Sequence, residues 1–500
     1  MVFSDKICAV VAAENSRSLS RQLERALRLA DTVELRLDWL AGDAEINRFL
    51  EQLSARRTRA NLIATCRRRS AGGRYKGSIA QQLVQLAEAL RAGCAWYDLE
   101  IETTRKCPPE LLRVLLGQGR HLASAHFFKG MPPNLNRIAA ELSRTRPDAI
   151  KIAAHCETLA ETLKLLQLAR GRRNVVAVPM GEAALPGRVL AIRAGSALAY
   201  SAVENATAPG QASFHLMKHV YRADQLTGKT RVYGVIGDPI GHSLSPVMQN
   251  AGFQARKMDA VFLPFLVRDL KDFLRAVKPL GIAGISVTLP HKQTILRHLD
   301  GCDPLAAAIG AVNTVVVRGG GELYGYNTDY IGVLRALEKR IALRGSRVLI
   351  VGAGGAARAV AFALGQAGAS VCICARRPAR AKALAKAVDA TAVVRESLRK
   401  EYFDAIVNAT PLGMYPLTDR SPLEARELNC RLVFDTIYRP RATKLLRLAK
   451  RRGIETVSGV EMFVAQGIAQ WEIWTGERAP EKIMRRAVMD ALASEEKGRI

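Results

Sequence analysis

Lys151 stands inside the apolar run Ala-Ile-Lys-Ile-Ala, where burial and neighbouring cations would loosen the proton on its amine and leave a nucleophile. Polar residues that could converge on it are Glu34, Arg36, Arg67, His126, Arg188 and Gln211. A second chemical pattern lies far downstream. There an apolar strand runs into Gly352-Ala-Gly354-Gly355-Ala356-Ala357, and a helix follows. These glycines permit a tight turn and bring a pyrophosphate close to a helix N-terminus. About 20 residues on, an enzyme using NAD would place an acid for the ribose. Here the chain reads Arg376-Arg377-Pro-Ala-Arg380. Guanidinium groups cannot replace that acid but can clasp a 2′-phosphate, so the chemistry predicts NADP over NAD.

The elements that must position these residues are legible in the hydropathy. Short apolar runs recur at 7–12, 33–37, 61–66, 96–101, 121–125, 149–153, 174–179 and 197–203, with segments of helical periodicity between them. Eight strand–helix units fit a (β/α)8 barrel, whose strands deliver side chains to one face at their carboxyl ends. A join at about 224–230 leads to a second alternation of strands and helices, and then to the glycine turn. The expected division is a barrel at 1–225, a substrate lobe at 231–333, a dinucleotide lobe at 334–460, and C-terminal helices at 461–500 that return to the substrate lobe.

With those elements in place, Glu34-Leu-Arg36-Leu-Asp38, Thr65-Cys-Arg67, Ser124-Ala-His126, Lys151-Ile-Ala, Met180-Gly181 and Ala208-Pro-Gly-Gln211 resemble the type I 3-dehydroquinate dehydratases over nearly all of 5–222. The resemblance implies that Lys151 forms an imine with the substrate ketone. It implies that His126 removes a proton from the adjacent carbon and returns one to the departing hydroxyl. Glu34, Arg36, Arg67, Arg188, Thr207 and Gln211 become substrate contacts, guanidinium forks being suited to a carboxylate. The chain departs from the family where a glutamate usually precedes two glycines, since Ala71 stands before Gly72-Gly73. That leaves Glu34 as the acidic partner expected for His126. Gly187 replaces a customary serine, and Phe127 a common acid. The dehydratase is accordingly expected to be the weaker of two activities.

The second half resembles the shikimate dehydrogenases through Gly237-Asp-Pro-Ile-Gly-His-Ser243-Leu-Ser245-Pro246, Val287-Thr288-Leu-Pro-His-Lys292, Gly310-Ala-Val-Asn313-Thr, Gly325-Tyr-Asn327-Thr328-Asp329, Asn408-Ala-Thr410, Asp435-Thr-Ile-Tyr438 and Gly459-Val-Glu-Met462, with Gln466 beyond. The likeness covers about 231–490. It implies a two-lobed unit with a Rossmann NADP-binding lobe. It makes Lys292 and Asp329 a catalytic pair and Ser243, Ser245, Thr288, Asn313, Tyr438 and Gln466 substrate contacts. Gly352, Gly354, Gly355, Ala356, Arg376, Arg377, Arg380, Thr410, Gly459 and Met462 then hold NADP(H). The tandem reading is an α/β enzyme that dehydrates 3-dehydroquinate to 3-dehydroshikimate and reduces that to shikimate.

Composition limits the alternatives. Net charge is +28, yet the excess is spread over both halves rather than gathered in a tail or stripe, so it reads as solvated surface without a nucleic-acid partner. No apolar run is long enough for a membrane span. With no recognisable leader, a cytoplasmic location is expected. Nine scattered cysteines give neither a disulfide framework nor a metal site. A metabolite-sensing regulator should have lost its lysines, whereas Lys151, His126, Lys292 and Asp329 are all present. Quinate dehydrogenase activity in the second half stays open, as does the oligomeric state.

Overall fold

The structure is a computed structural model, and it describes residues 3, 5–113, 115, 117–204 and 210–497. The chain falls into two compact units, Met1–Val232 with Asp259–Gly281, and Tyr233–Met258 with Ile282–Ile500. The cut expected at about 225–231 is linear; the first unit also takes in a later strand and helix. Asp272, on that helix (Leu270–Leu280), accepts the Leu159 N–H at 3.1 Å.

Eight parallel strands make the barrel of the first unit: β1 (Ile7–Val11), β2 (Thr32–Arg36), β3 (Asn61–Thr65), β4 (Trp96–Glu100), β5 (Arg120–Phe127), β6 (Ala149–His155), β7 (Val175–Met180) and β8 (Ala199–Ala202). Their order is β7-β6-β5-β4-β3-β2-β1-β8. At the seam between β7 and β8, the Ala197 N–H donates to the Val175 carbonyl at 2.8 Å and the Ala177 N–H to Ser196 Oγ at 3.1 Å. The strands are nearly all buried, and what faces inward follows the period of two. A layer of Cys8, Ile63, Leu122 and Val176 comes from the odd strands, and these four belong to one apolar cluster with Trp96, Val10 and Val178. The next inward positions on the even strands are Glu34, Asp98, Lys151 and Tyr200, so a layer usually filled with aliphatic side chains is mostly charged. Helices outside are begun by local caps. Ser78 and Gln81 form a capping box on Ile79–Arg91, and Thr158 and Glu161 another on Leu159–Gln167.

Two sheets carry the remaining strands: β9 (Arg231–Gly237), β10 (Ala260–Leu266, clustered with the barrel), β11 (Ile282–Val287), β12 (Gly301–Cys302), β13 (Thr314–Val317), β14 (Leu323–Tyr326), β15 (Arg347–Val351), β16 (Ser370–Cys374), β17 (Thr391–Ala392), β18 (Phe403–Asn408), β19 (Cys430–Asp435) and β20 (Glu455–Val457). Within the second unit the substrate lobe runs β9-β11-β13-β14-β12, with antiparallel pairing of β11 to β13 and of β13 to β14. The other lobe is parallel throughout, in the order β17-β16-β15-β18-β19-β20. Alternate residues feed different cores, Val348 and Ile350 on one face and Leu349 and Val351 on the other, which is why these strands read as continuous apolar runs. Strand order reverses between β15 and β18, so a crevice opens over their carboxyl ends, the usual ligand position in such sheets. Helix Gly459–Thr475 then packs back on the substrate lobe, its Gln470 Nε2 donating to Ser286 Oγ at 3.0 Å and its Trp474 Nε1 to the Val315 carbonyl at 3.0 Å.

Candidate active sites

In the barrel, Lys151 Nζ contacts Asp98 Oδ2 in a very short ion pair, lies 3.4 Å from Glu34 Oε1 and 3.4 Å from the Tyr200 hydroxyl, and sits 4.6 Å from the Tyr200 ring centroid. Arg67 is the neighbouring cation, its Nη2 lying 3.4 Å from the same Asp98 Oδ2, but the direct partners of the lysine are acidic. A buried ammonium without counter-charge is costly, and the fold supplies two carboxylates instead. Burial alone would raise the Asp98 carboxyl, but Lys151 and Arg67 hold it below the ordinary range. Ser124 Oγ donates to its other oxygen. Burial, with Glu34 next, pushes the Tyr200 phenol up, so it stays protonated.

Glu34 is likewise not the partner expected for His126. It accepts from Thr65 Oγ1 at 2.9 Å and from Lys151, whereas His126 Nδ1 is buried with no hydrogen-bond partner. Ala71, itself buried, brings only a methyl group to the loop where the carboxylate was missed. That loop is closed by Gly73, where a Cβ would lie 2.0 Å from the Arg67 carbonyl oxygen. His126 lies on β5 and stacks on Phe128 with centroids 6.0 Å apart. Burial, then Arg67, Lys151 and Arg36, push its imidazole well below the usual histidine range. It is therefore held neutral.

Arg67 keeps a buried Nε without a partner, its Nη2 lying 3.4 Å from Asp98. Arg36 is more committed than expected, because Asp38 takes its Nε at 2.9 Å and Nη2 at 2.8 Å. Arg188 is buried on the helix Leu185–Arg193, where burial lowers its guanidinium to about 10. Gln211 is half-buried. Thr207 lies outside the described residues. Asp98, Tyr200 and Ser124 are the side chains that the sequence reading did not assign. The first two sit at inward positions of even-numbered strands, the parity they share with Glu34 and Lys151 once the sheet is closed.

In the second unit Lys292 Nζ and Asp329 Oδ2 are 2.6 Å apart, and the lysine side chain is 20% exposed. Asp329 is aimed by its neighbours. Asn313 Nδ2 donates to Asp329 Oδ1 at 2.8 Å and to Thr328 Oγ1 at 3.0 Å, and Asn327 Oδ1 accepts the Asp329 N–H at 3.0 Å. Asn313 thus acts on the pair directly, a role beyond the substrate contact read from sequence. Ser243 Oγ accepts from the N–H of Ser245, which opens the helix Ser245–Ala255. Thr288 is half-buried just past β11, and Gly237 must be glycine because a Cβ would lie 2.6 Å from the Thr288 methyl. Tyr438 stacks on Phe463 at 4.3 Å, and Gln466 Nε2 donates to the Phe463 carbonyl at 2.8 Å.

Between the lobe's strands, Gly352 adopts φ 129°, and an added Cβ would lie 2.8 Å from the Ala409 carbonyl oxygen. Gly354 and Gly355 face open space at the start of the helix Gly355–Gln366, and Ala356 lies in its first turn. The Gly352 N–H is taken by the Cys374 carbonyl at 2.8 Å, and the first N–H groups of the helix at Gly354, Gly355 and Ala356 are the ones that fit a pyrophosphate. Arg376, Arg377 and Arg380 follow β16, exposed and without an ion pair among the described residues. Thr410 is held by Asn408 Oδ1, at 2.9 Å from its N–H and 2.7 Å from its hydroxyl. Asn408 in turn donates to Asp435 Oδ1 at 3.0 Å. Gly459 passes close over the backbone, where a Cβ would lie 2.4 Å from the Thr436 carbonyl oxygen. Met462 is buried in the lobe's core beside Gly332, in one cluster with Ala357 and with Ala353 of the glycine turn packed against it.

A barrel with a buried lysine among carboxylates and a two-lobed unit with a lysine–aspartate pair beside a dinucleotide cradle define a fusion of an amine-dependent lyase with a nucleotide-dependent oxidoreductase. Comparison with known proteins agrees. Residues 7–227 match the type I 3-dehydroquinase family, 235–315 the shikimate dehydrogenase substrate binding domain, 335–441 the shikimate / quinate 5-dehydrogenase family and 459–489 the shikimate 5′-dehydrogenase C-terminal domain. The chloroplastic bifunctional 3-dehydroquinate dehydratase/shikimate dehydrogenase of Arabidopsis thaliana is 32% identical over 95% of this chain and 83% of its own length. The NADP(+) shikimate dehydrogenase of Methanosarcina acetivorans is 45% identical over 52% of this chain and 99% of its own. A shikimate dehydrogenase solved in complex with NADP+ is 38% identical, with a TM-score of 0.51 over 53% of this chain and 96% of that one. The chain belongs to the bifunctional 3-dehydroquinate dehydratase/shikimate dehydrogenase family, and its alternatives as a sensor are not favoured.

Proposed function

We propose that Lys151 forms an imine with the ketone of 3-dehydroquinate, that His126 moves the protons of the dehydration, and that the second unit reduces the resulting 3-dehydroshikimate to shikimate with NADPH. The observation that carries this reading is the charged layer around Lys151. It provides an amine next to carboxylates able to take its proton, with a neutral histidine and the partnerless Arg67 Nε close by. Arg67, Arg188 and Gln211 bind the substrate's carboxylate and hydroxyl groups.

In the second unit Lys292 stands beside the substrate carbonyl, stabilises charge on its oxygen and supplies the proton, and Asp329 orients it. When bound, NADPH supplies the hydride. Its pyrophosphate rests on Gly352, Gly354, Gly355 and Ala356, and its 2′-phosphate on Arg376, Arg377 and Arg380. Ser243, Ser245, Thr288 and Gln466 contact the polyol acid, with Asn313 holding Asp329 toward it. Nine free cysteines, eight of them buried, suit the reducing cytoplasm proposed as its location.

A coupled assay tests the whole reading: 3-dehydroquinate added to the protein with NADPH should consume the nucleotide and release shikimate. Binding of both without turnover would sink it.

A further inference from the structure

Tyr200 is the fourth member of the charged layer and the only one without charge. Its ring belongs to the barrel's apolar cluster, a role phenylalanine would fill without burying a hydroxyl. The hydroxyl accepts from Lys151 Nζ at 3.4 Å, and the ring lies beneath the same nitrogen at 4.6 Å. An ammonium has three N–H bonds, and three acceptors face it here, Asp98, Glu34 and Tyr200. The nitrogen is drawn toward Asp98, the short contact, and lies farther from the other two.

We infer that Tyr200 is a positioning residue for imine formation, holding Lys151 Nζ in line with the barrel mouth once its ion pair with Asp98 is discharged. The inference rests on the reading of Lys151 as the imine-forming lysine. The ammonium first passes one proton to Asp98. Its remaining N–H bonds rest on Glu34 and Tyr200, which directs the lone pair away from both. That pair forms the N–C bond while the carbonyl π pair moves to oxygen. The oxygen takes one proton from nitrogen and the one held by Asp98, then leaves as water, and a protonated imine remains with the Asp98 carboxylate restored. Tyr200 exchanges no proton. Its hydroxyl fixes the amine before attack, and its ring faces the nitrogen cation before and after.

The test is borohydride trapping of the adduct on Lys151 by the full-length protein with 3-dehydroquinate, followed by mass spectrometry across a pH series. Tyr200→Phe keeps the ring and removes the acceptor. It should trap roughly tenfold more slowly with KM within about twofold of the parent, the loss expected for one hydrogen bond to a charged group. Because an ammonium with one acceptor fewer is less stabilised, the acid limb of trapping should also move to lower pH. Loss of packing alone would not move that limb. Tyr200→Leu, lacking the ring as well, should trap more slowly still. Parental rate and an unmoved limb in Tyr200→Phe overturn the inference. An unaltered protein that gives no adduct on Lys151 overturns the imine reading itself, and this inference with it.

Discussion

Lys151 and Lys292 both face an aspartate, and the surroundings of each pair differ in every other respect. The Lys151 side chain is 4% exposed, with two carboxylates and a phenol around one nitrogen. The Lys292 side chain is 20% exposed and paired to one carboxylate, which an amide and a backbone turn hold in place. An amine that must attack carbon has to lose its proton at a defined point, so it is enclosed by groups that can take the proton and fix the nitrogen. An ammonium that only donates a proton needs orientation and access to substrate, and one aimed carboxylate suffices. On the proposed reading, the same pair of residue types serves two chemistries according to how it is enclosed.

The largest effect should come from separating the two lysines. Lys151→Ala is expected to abolish dehydration while leaving 3-dehydroshikimate reduction at the parental rate. Lys292→Ala should do the reverse, each loss being on the order of 10³-fold or more by analogy with removed acid–base groups. Steady-state assays of the two half-reactions check this, and a variant that lost both activities would break the comparison. Next is Asp98→Asn, which leaves Lys151 with Glu34 alone. Breaking a buried pair one-sidedly costs about 3–5 kcal/mol, so the barrel's thermal midpoint should fall, measured by calorimetry. Asp329→Asn, at the more open pair, should cost far less stability than activity.

A change to the basic cluster should be milder and confined to one ligand. Replacing Arg376, Arg377 and Arg380 together by alanine is expected to raise KM for NADPH by roughly ten- to a hundredfold, as lost charge-assisted contacts would. KM for NADH and the dehydratase should barely move. Smallest is a pH effect of opposite sign in the two units. Asp98, held low by Lys151 and Arg67, contributes stability that is present above the unfolded carboxyl's range and lost as pH falls through its own. Asp435 is pushed up to about 6 by burial, and its partners Thr443, Ile437 and Asn408 are neutral donors. Its contribution is present at low pH and lost as pH rises through about 6. Unfolding of Asp435→Asn across pH 4–8 should therefore lose that downward trend.

Much of this was legible before any coordinates. Lys151, Lys292 and the glycine turn sit in local contexts that state their chemistry, and periodic apolar runs located the barrel strands to within a residue or two. What escaped was lateral. Asp98 lies in Trp-Tyr-Asp-Leu-Glu and Tyr200 in Ala-Tyr-Ser-Ala, and neither stretch looks unusual alone. Only the closure of the sheet brings these side chains to the same nitrogen. The wrong choice of a partner for His126 has the same origin: Glu34 is near in the site but is occupied by Thr65 and Lys151. The resemblance makes Arg36 a substrate contact, and nothing in a linear reading shows that Asp38, two residues on, folds back to take its Nε and Nη2.

The charged layer also constrains how this barrel could change over generations. Replacing Lys151 alone strands two carboxylates in a dry interior, whereas replacing either carboxylate alone leaves the lysine the other, and removing Asp98 also takes the ion-pair partner of the buried Arg67. Lys151 and its carboxylates are therefore coupled in inheritance, with the lysine the hardest to lose first, while Tyr200, which carries no charge, is free to vary by itself without stranding one.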